Sequence, residues 1–299
     1  MAWRGLHISR PASLRLKNRR LEVDGEDGTL QFPIEDIAWI VLDTPQVTTS
    51  AALLSACMEA GVLLVVSDKR HMPCGTLLPF HQHFRQAEVA HLQIVAPAGL
   101  KRRLWRTIVR RKIGNQADAL DEAGGEGAAT LREMTRHVRS GDAAAVEARA
   151  ARYYWPRLFG EFRRHDETDR RNALLNYGYA VMRAAIARSL VAHGFLPAFG
   201  IHHESLQNAF NLADDLIEPY RPFVDRMVHA RCASLGEGVK SGSMDLEDRQ
   251  AMAAVLSTKA SSGGDQVTML TAVDRTVGSL QRAISACQAK KLVLPRLAG

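Results

Sequence analysis

Apolar and polar positions alternate in short bursts over the first 80 residues. "RGLHIS", "ASLRLKNRRLEV", "GTLQFPI" and "IAWIVLD" carry the two-residue period and the β-branched and aromatic side chains of half-buried strands. Asp24-Gly25 and Asp27-Gly28 supply turns among them. "SAALLSACMEAG" interrupts the pattern with a short helix, opened by Ser50 as a cap and closed by Gly61. "VLLVVSD" follows as a buried strand, and "GTLLPF" reads as one more.

From about residue 85 the two-residue period gives way to long segments rich in alanine, leucine and arginine. In "NALLNYGYAVMRAAIARSLVAHG", Leu175, Met182, Ile186 and Leu190 fall on one stripe at helical spacing, and Gly194 and Pro197 end the run. Gly124, Gly125 and Gly127 separate two further helices, and "SSGGD" at Ser261 to Asp265 reads as a flexible loop. The expected fold class is therefore α+β: a small β-rich N-terminal domain over 1–84, followed by a larger all-α domain over 85–299.

Composition narrows the setting without changing that division. The 299 residues are 46% hydrophobic and 24% charged, as in a globular protein, and no apolar run reaches the roughly 20 residues of a membrane span. Cys57, Cys74, Cys232 and Cys287 lie far apart with no Cys-x-x-Cys pair, suggesting neither a zinc knuckle nor a disulfide framework. The reading is a cytoplasmic, reduced protein with no membrane partner.

Charge is the first functional signal. A net charge of +7 favours polyanionic partners, because lysine and arginine that neutralise phosphates release condensed counterions. "LKRRLWRTIVRRK" (Leu100 to Lys112) concentrates seven cations in 13 residues with no acid. Leu104, Ile108 and Val109 recur at helical spacing, so the cations cover the remaining surface. Arg102, Arg103, Arg106, Arg110, Arg111 and Lys112 are either phosphate-tracking contacts for nucleic acid or a solvated basic face.

"GIHHESLQNAFNLADDLIEPYRP" (Gly200 to Pro222) holds an imidazole pair, His202 and His203, followed by Asp214, Asp215 and Glu218. Asp215 and Glu218 are three apart, so both project from one face of a helix, and Pro219 breaks or kinks that helix. Carboxylates with an imidazole suit Mg²⁺ or Mn²⁺; equally, acids in a first helical turn favour the helix dipole. Upstream, "DAAAVEARAARYYWPRLFG" is an alanine-rich helix whose small residues permit close approach of a second helix, bringing Glu147 beside it. Glu147 is then either a salt-bridge partner of Arg149 or Arg152, or a third ligand.

These residues also carry a family resemblance. Glu-x-x-Ala-Ala-x-x-Tyr at 147–154, Asn-x-Leu-Leu-Asn-Tyr-x-Tyr at 172–179, Gly-x-x-His at 200–203 and Asp-Leu-x-Glu-x-Tyr-Arg-Pro at 215–222 resemble, in that order, the CRISPR-associated integrase. "KIGNQ" at 112–116 is similar to that family's Lys-Ile-x-Asn-Gln element. The double histidine and "NLADDLIEPYRP" resemble its type II branch, which works beside a large RNA-guided nuclease.

The resemblance implies a metal-dependent DNA endonuclease and integrase. A protospacer 3′-hydroxyl would attack a phosphodiester at the edge of a CRISPR repeat, with Mg²⁺ or Mn²⁺ as cofactor. Matched position by position, the catalytic and metal-binding residues are Glu147, His203 and Glu218, with Asp215 and His202 auxiliary. The family often has glycine after its first glutamate; Ala148 stands there here. The implied partners are double-stranded DNA (protospacer and repeat), a second copy of the chain, a small ferredoxin-like CRISPR-associated subunit, and the RNA-guided nuclease of the same system. The homodimer would form through residues 1–84.

Two other readings remain at this stage. His165-Asp166, with His202 or His203 and Asp214 or Asp215, is the ligand set of an HD-type phosphohydrolase, although Asp166, Thr168 and Asp169 also suit the capped start of the next helix. A non-enzymatic basic scaffold for nucleic acid would account for the charge and leave the glutamates and histidine unused.

Overall fold

The computed structural model describes residues 2–80, 83–236 and 242–297. The chain divides into two compact units, Met1–Phe80 and His81–Gly299.

The first unit is built from two four-stranded sheets. Strands β1 (Arg4–Ile8), β2 (Ala12–Lys17), β3 (Arg20–Gly25), β4 (Gly28–Pro33), β5 (Ile37–Leu42) and β6 (Val47–Thr49) precede helix α1 (Ala51–Glu59), and β7 (Leu63–Ser67) and β8 (Pro73–Thr76) follow it. One sheet has the order β1-β5-β7-β8, the other β4-β3-β2-β6. In the first, β5 is paired in parallel on both sides. Central parallel strands are covered on both faces, which is why "IAWIVL" and "LLV" read as nearly continuous apolar runs. Leu14, Leu21, Ile40, Leu53 and Leu64 join both sheets and α1 in one core. Ser50 caps α1, its side chain accepting from Leu53 N at 3.3 Å.

Two expectations need correction here. "ASLRLKNRRLEV" is a hairpin of two strands, β2 and β3, and not one strand. It turns at Asn18 and Arg19, both with positive φ (49° and 59°), which is the backbone of a type I′ turn without its usual glycine. Of "GTLLPF", only Gly75 and Thr76 belong to a strand.

The second unit is helical. It comprises α2 (Gln86–Ile94), α3 (Ala98–Glu122), α4 (Ala128–His137), α5 (Val146–Phe159), α6 (Arg170–Ala192), α7 (Asn211–Ile217), α8 (Arg221–Leu235) and α9 (Leu246–Ala253), with α10 (Met269–Ser285) beyond a hairpin of β9 (Lys259–Ser262) and β10 (Asp265–Thr268). The glycine loop of the sequence reading is that hairpin's turn: Gly263 and Gly264 both have positive φ, and Lys259–Ser262 pairs antiparallel with Asp265–Thr268. Leu175, Met182, Ile186 and Leu190 are buried as their stripe requires. No helix among the described residues is long and apolar enough to cross a membrane.

α3 is the axis of the unit. Leu100, Leu104, Trp105, Ile108, Val109 and Ile113 are buried along it, and α4, α5 and α8 pack against it. Asn115 ties it to two distant segments: its Nδ2 donates to the carbonyls of Pro219 (2.7 Å) and Pro295 (3.1 Å). The break after α7 is where Pro219 demands one. α7 passes through a 3-10 turn (Glu218–Tyr220) into α8.

Candidate active site

Glu147 is placed by the start of α5. Asp142 accepts hydrogen bonds from the backbone N–H groups of Val146 and Glu147, both at 3.0 Å, occupying two donors that the helix cannot pair internally. Glu218 is placed by the Pro219 break, whose carbonyl is held by Asn115. The two glutamates come from elements about 70 residues apart in sequence, and both converge on the ammonium of Lys112 from α3.

Lys112 is only 8% exposed. The sequence reading that grouped it with the DNA-backbone cations is therefore corrected: its side chain turns inward because two buried carboxylates compensate it there. Burial opposes its charge, but Glu218 and Glu147 outweigh burial and raise its pKa. Burial likewise acts to raise Glu218, and is outweighed by Lys112 and Arg221, which hold that carboxyl down to about 2. Arg221 donates from Nε to Glu218 Oε1 at 2.8 Å, and its guanidinium lies over the Tyr179 ring at 4.5 Å. Behind it, Asp225 accepts from Tyr154 and Tyr179, and burial pushes Asp225 up to about 7.

His203 belongs to a loop organised by one carboxylate. Asp215, fully buried, accepts from the backbone N–H of Ile201, His202 (3.0 Å) and His203 (3.1 Å), and its Oδ1 lies 2.8 Å from His203 Nδ1. That hydrogen bond is the main reason the His203 pKa is raised. It engages Nδ1 and leaves Nε2 as the ring's other edge. The loop passes so close that a Cβ on Gly200 would sit 2.3 Å from the His203 carbonyl oxygen and 2.7 Å from Asp215 Oδ2. Glycine is the residue that fits.

Trp105, missed by the sequence reading, completes the wall. His202 stacks on its indole at 4.2 Å and 8°, and His203 meets the same ring edge-on at 5.8 Å. His202 is thus a packing partner that helps fix the His203 ring. The signal for Trp105 was its place on the apolar side of the basic helix.

As they lie, no three His, Cys, Asp or Glu side chains among the described residues form a closed metal-binding cluster. The donor set nevertheless fits a divalent cation. Two carboxylates already gather around one positive centre, Glu147 through Oε1 and Glu218 through its buried Oε2. His203 supplies an imidazole whose charge state responds to Glu218. Carboxylate oxygens and one imidazole are a suitable set for Mg²⁺ or Mn²⁺.

The remaining predicted positions fall outside this cluster. Asp214 pairs with Arg183 of α6, Oδ1 to Nε at 2.6 Å and Oδ2 to Nη2 at 3.0 Å. Asp166 accepts from Thr168, and Asp169 caps α6 by accepting from Arg171 N at 2.9 Å, so these acids serve the start of that helix. Arg103, Arg106, Arg110 and Arg111 line a surface cavity on another side of α3. Arg102 packs beside Gly141, outside that lining.

Removing the Asp215 carboxylate tests how the loop works. Asp215→Asn replaces an acceptor of four bonds by a group with one acceptor oxygen. The divalent-cation affinity of the protein is expected to fall about 10- to 100-fold, the range for losing an outer partner of a ligating histidine. Mn²⁺ titration of the variant reads this, and an unchanged affinity would show that the loop does not depend on Asp215.

A β-rich unit is followed by a helical unit in which two glutamates meet at one lysine and an anchored histidine lies on a neighbouring loop. The family model described as CRISPR associated protein Cas1 matches residues 6–235, and the chain belongs to that family. It is 39% identical over 299 residues to the CRISPR-associated endonuclease Cas1 of Neisseria meningitidis serogroup C (strain 8013), covering 99% of this chain and 97% of that one. Among solved structures it shares its fold with a casposase bound to integration product (TM-score 0.77, 17% identity, 96% of this chain and 92% of the other). The fold is also that of a chain in a partial Cas6-RT-Cas1–Cas2 complex (TM-score 0.65, 15% identity, 99% of each chain).

Proposed function

We propose that the protein is a metal-dependent DNA endonuclease and integrase that inserts protospacer DNA into a CRISPR array. It acts in the cytoplasm through attack of a 3′-hydroxyl on a phosphodiester. The observation that carries this reading is the convergence of Glu147 and Glu218 on one cation, Lys112, beside a histidine anchored through its far nitrogen. Family membership supports it, as does a structural neighbour, a casposase bound to integration product.

The residues would divide the work as follows. Glu147, Glu218 and His203 Nε2 hold Mg²⁺ or Mn²⁺. Bound there, the cation supplies Lewis-acid stabilisation of the charge that develops in an in-line displacement at phosphorus. Lys112 and Arg221 hold the Glu218 carboxyl down to about 2, which keeps it ionised near neutral pH. Asp215 and the Trp105–His202 stack fix the His203 ring, so that one imidazole edge is presented without rotational search. Water in place of the hydroxyl nucleophile gives hydrolysis from the same residues. The test is half-site transfer of a labelled duplex into a repeat-bearing plasmid: transfer with Mg²⁺ or Mn²⁺ and none in chelator supports the reading. No transfer with the cation and the partner subunit both present would refute it.

Assembly follows from the chemistry. Joining both ends of one DNA segment needs two active sites at a fixed separation. The proposed unit is a homodimer formed mainly through residues 1–84, carried on a small ferredoxin-like CRISPR-associated subunit beside an RNA-guided nuclease. The Cas1–Cas2 complex among the structural neighbours supports such a partner. Light scattering should give twice the 32.9 kDa of one chain. A concentration-independent mass of one chain would contradict the dimer.

A further inference from the structure

The arginines of α3 do not all face the carboxylate pair. Trp105 and Lys112 touch the site, and each lies two positions from a cation of the basic run, Arg103 and Arg110. At about 100° per residue, two positions turn the helix by about 200°, so those arginines lie on the opposite side of α3 from the glutamates. There Arg103, Arg106, Arg110 and Arg111 line a cavity of about 570 Å³. Arg132 of α4 joins them, with Lys290 and Arg296 from the C-terminal segment.

The lining holds no acid and no aromatic side chain. Arg132 has carboxylates of its own, Asp118 at 2.8 Å and Asp121. The other six cations form no ion pair among the described residues. Arg111 Nε is buried without a hydrogen-bond partner, and burial, with Arg296 nearby, lowers Arg111 to about 10. A concave cluster in which six of seven cations lack an ion-pair partner focuses positive potential and is relieved by an anion. Arg103 and Arg110 are seven residues apart, about 10 Å along the helix, or about three base-pair steps of duplex DNA. Single-strand binders stack bases on aromatic rings, and this surface has none to offer.

We propose that this groove, formed by α3, α4 and residues 289–296, is a second, non-catalytic seat for the sugar–phosphate backbone of duplex DNA. The choice of DNA as the polyanion rests on the integrase reading; the groove itself does not. It holds duplex by its phosphates without reading sequence, on the side of α3 away from the chemistry.

Fluorescence anisotropy with a duplex of about 30 base pairs and no divalent cation tests it. The variant R103E/R110E/R296E reverses three exposed side chains, and thermal melting checks that it folds; R103Q/R110Q/R296Q removes the charge more gently. Duplex affinity is expected to fall at least about tenfold for the reversal, with the log–log salt slope reduced by about three in the neutral variant. A single strand of equal length should lose less. Unchanged affinity and slope in both variants would overturn the proposal, as would a loss confined to single strands. Glu147→Ala should bind duplex as wild type does while losing strand transfer, so the groove and the integrase reading fail separately.

Discussion

Alanine at Glu147, His203 or Glu218 is expected to lower cation-dependent strand transfer by about 10³-fold or more, about 4 kcal/mol of transition-state stabilisation. The three residues come from the start of α5, the loop after α6 and the break after α7, and each is held by a separate device: Asp142, Asp215 and the Asn115–Pro219 bond. Loss of one side chain therefore leaves the other two in place. Glu218→Gln keeps the shape and should be as inactive as Glu218→Ala. His202→Ala and Asp214→Ala should be milder, because His202 acts through its stack on Trp105 and Asp214 is paired with Arg183. A plasmid integration assay reads all six. Full activity in His203→Ala together with loss in His202→Ala would show that the wrong imidazole has been assigned.

The second large effect belongs to Lys112. Lys112→Met leaves two carboxylates facing each other, Glu218 almost wholly buried, with Arg221 alone to compensate. Removing one member of a buried ion pair costs about 3–5 kcal/mol, which for a domain of this size lowers Tm by roughly 10 °C. The loss should be seen without divalent cation and largely reversed by Mn²⁺, because the ion then does what the ammonium did. Wild type should show the smaller Mn²⁺ shift, since there the ion must displace or share the place of Lys112. The pH dependence has a definite sign. A depressed carboxyl stabilises the fold fully above its unfolded value of 4.5, and that stabilisation is lost as pH falls toward about 2. Wild-type stability should therefore fall across that window more steeply than that of Lys112→Met, in which Glu218 has lost its largest attractive partner. A variant as stable as wild type and indifferent to Mn²⁺ would remove Lys112 from the account.

How much of this was legible beforehand depended on whether a residue's partner was local. The stripe of α6, the Ser50 cap, the break at Pro219 and the capping of α6 by Asp169 are set by neighbours a few positions away, and they read directly from the sequence. The Asn18–Arg19 turn did not, because a type I′ turn usually advertises itself with glycine. The β9–β10 hairpin was hidden by flanks of alanine and serine, which carry little strand signal. At the site, motif order singled out Glu147, His203 and Glu218 as candidates, but not what holds them. Lys112 sat at the end of a run of seven cations, and nothing local distinguishes the one that turns inward. Only the fold, by bringing elements from 147 and 218 against α3, makes that distinction. Asp215 was legible as an acid near the site, whereas its hold on three backbone N–H groups depends on a loop path that Gly200 permits.

The motifs gain physical meaning from the same contacts. Asn172 of the Asn-x-Leu-Leu-Asn-Tyr-x-Tyr run donates to the carbonyls of Arg163 (2.7 Å) and Asp166 (2.9 Å), tying down the loop before α6. Tyr179 from the same run and Tyr154 from the Glu147 motif both bond Asp225, and the Tyr179 ring supports Arg221. In "KIGNQ", Lys112 meets the glutamates and Asn115 holds the Pro219 carbonyl. Much of what identifies the chain is thus the frame around two carboxylates.

The account stands on a divalent cation held between those carboxylates and His203, and Mn²⁺ binding to the purified protein measures this without reliance on any DNA reaction. Electron paramagnetic resonance titration should find one Mn²⁺ per chain in wild type and in His202→Ala. Glu147→Ala, His203→Ala and Glu218→Ala should each lose it. Equal Mn²⁺ binding in wild type and all three of those variants would contradict the assignment of the site.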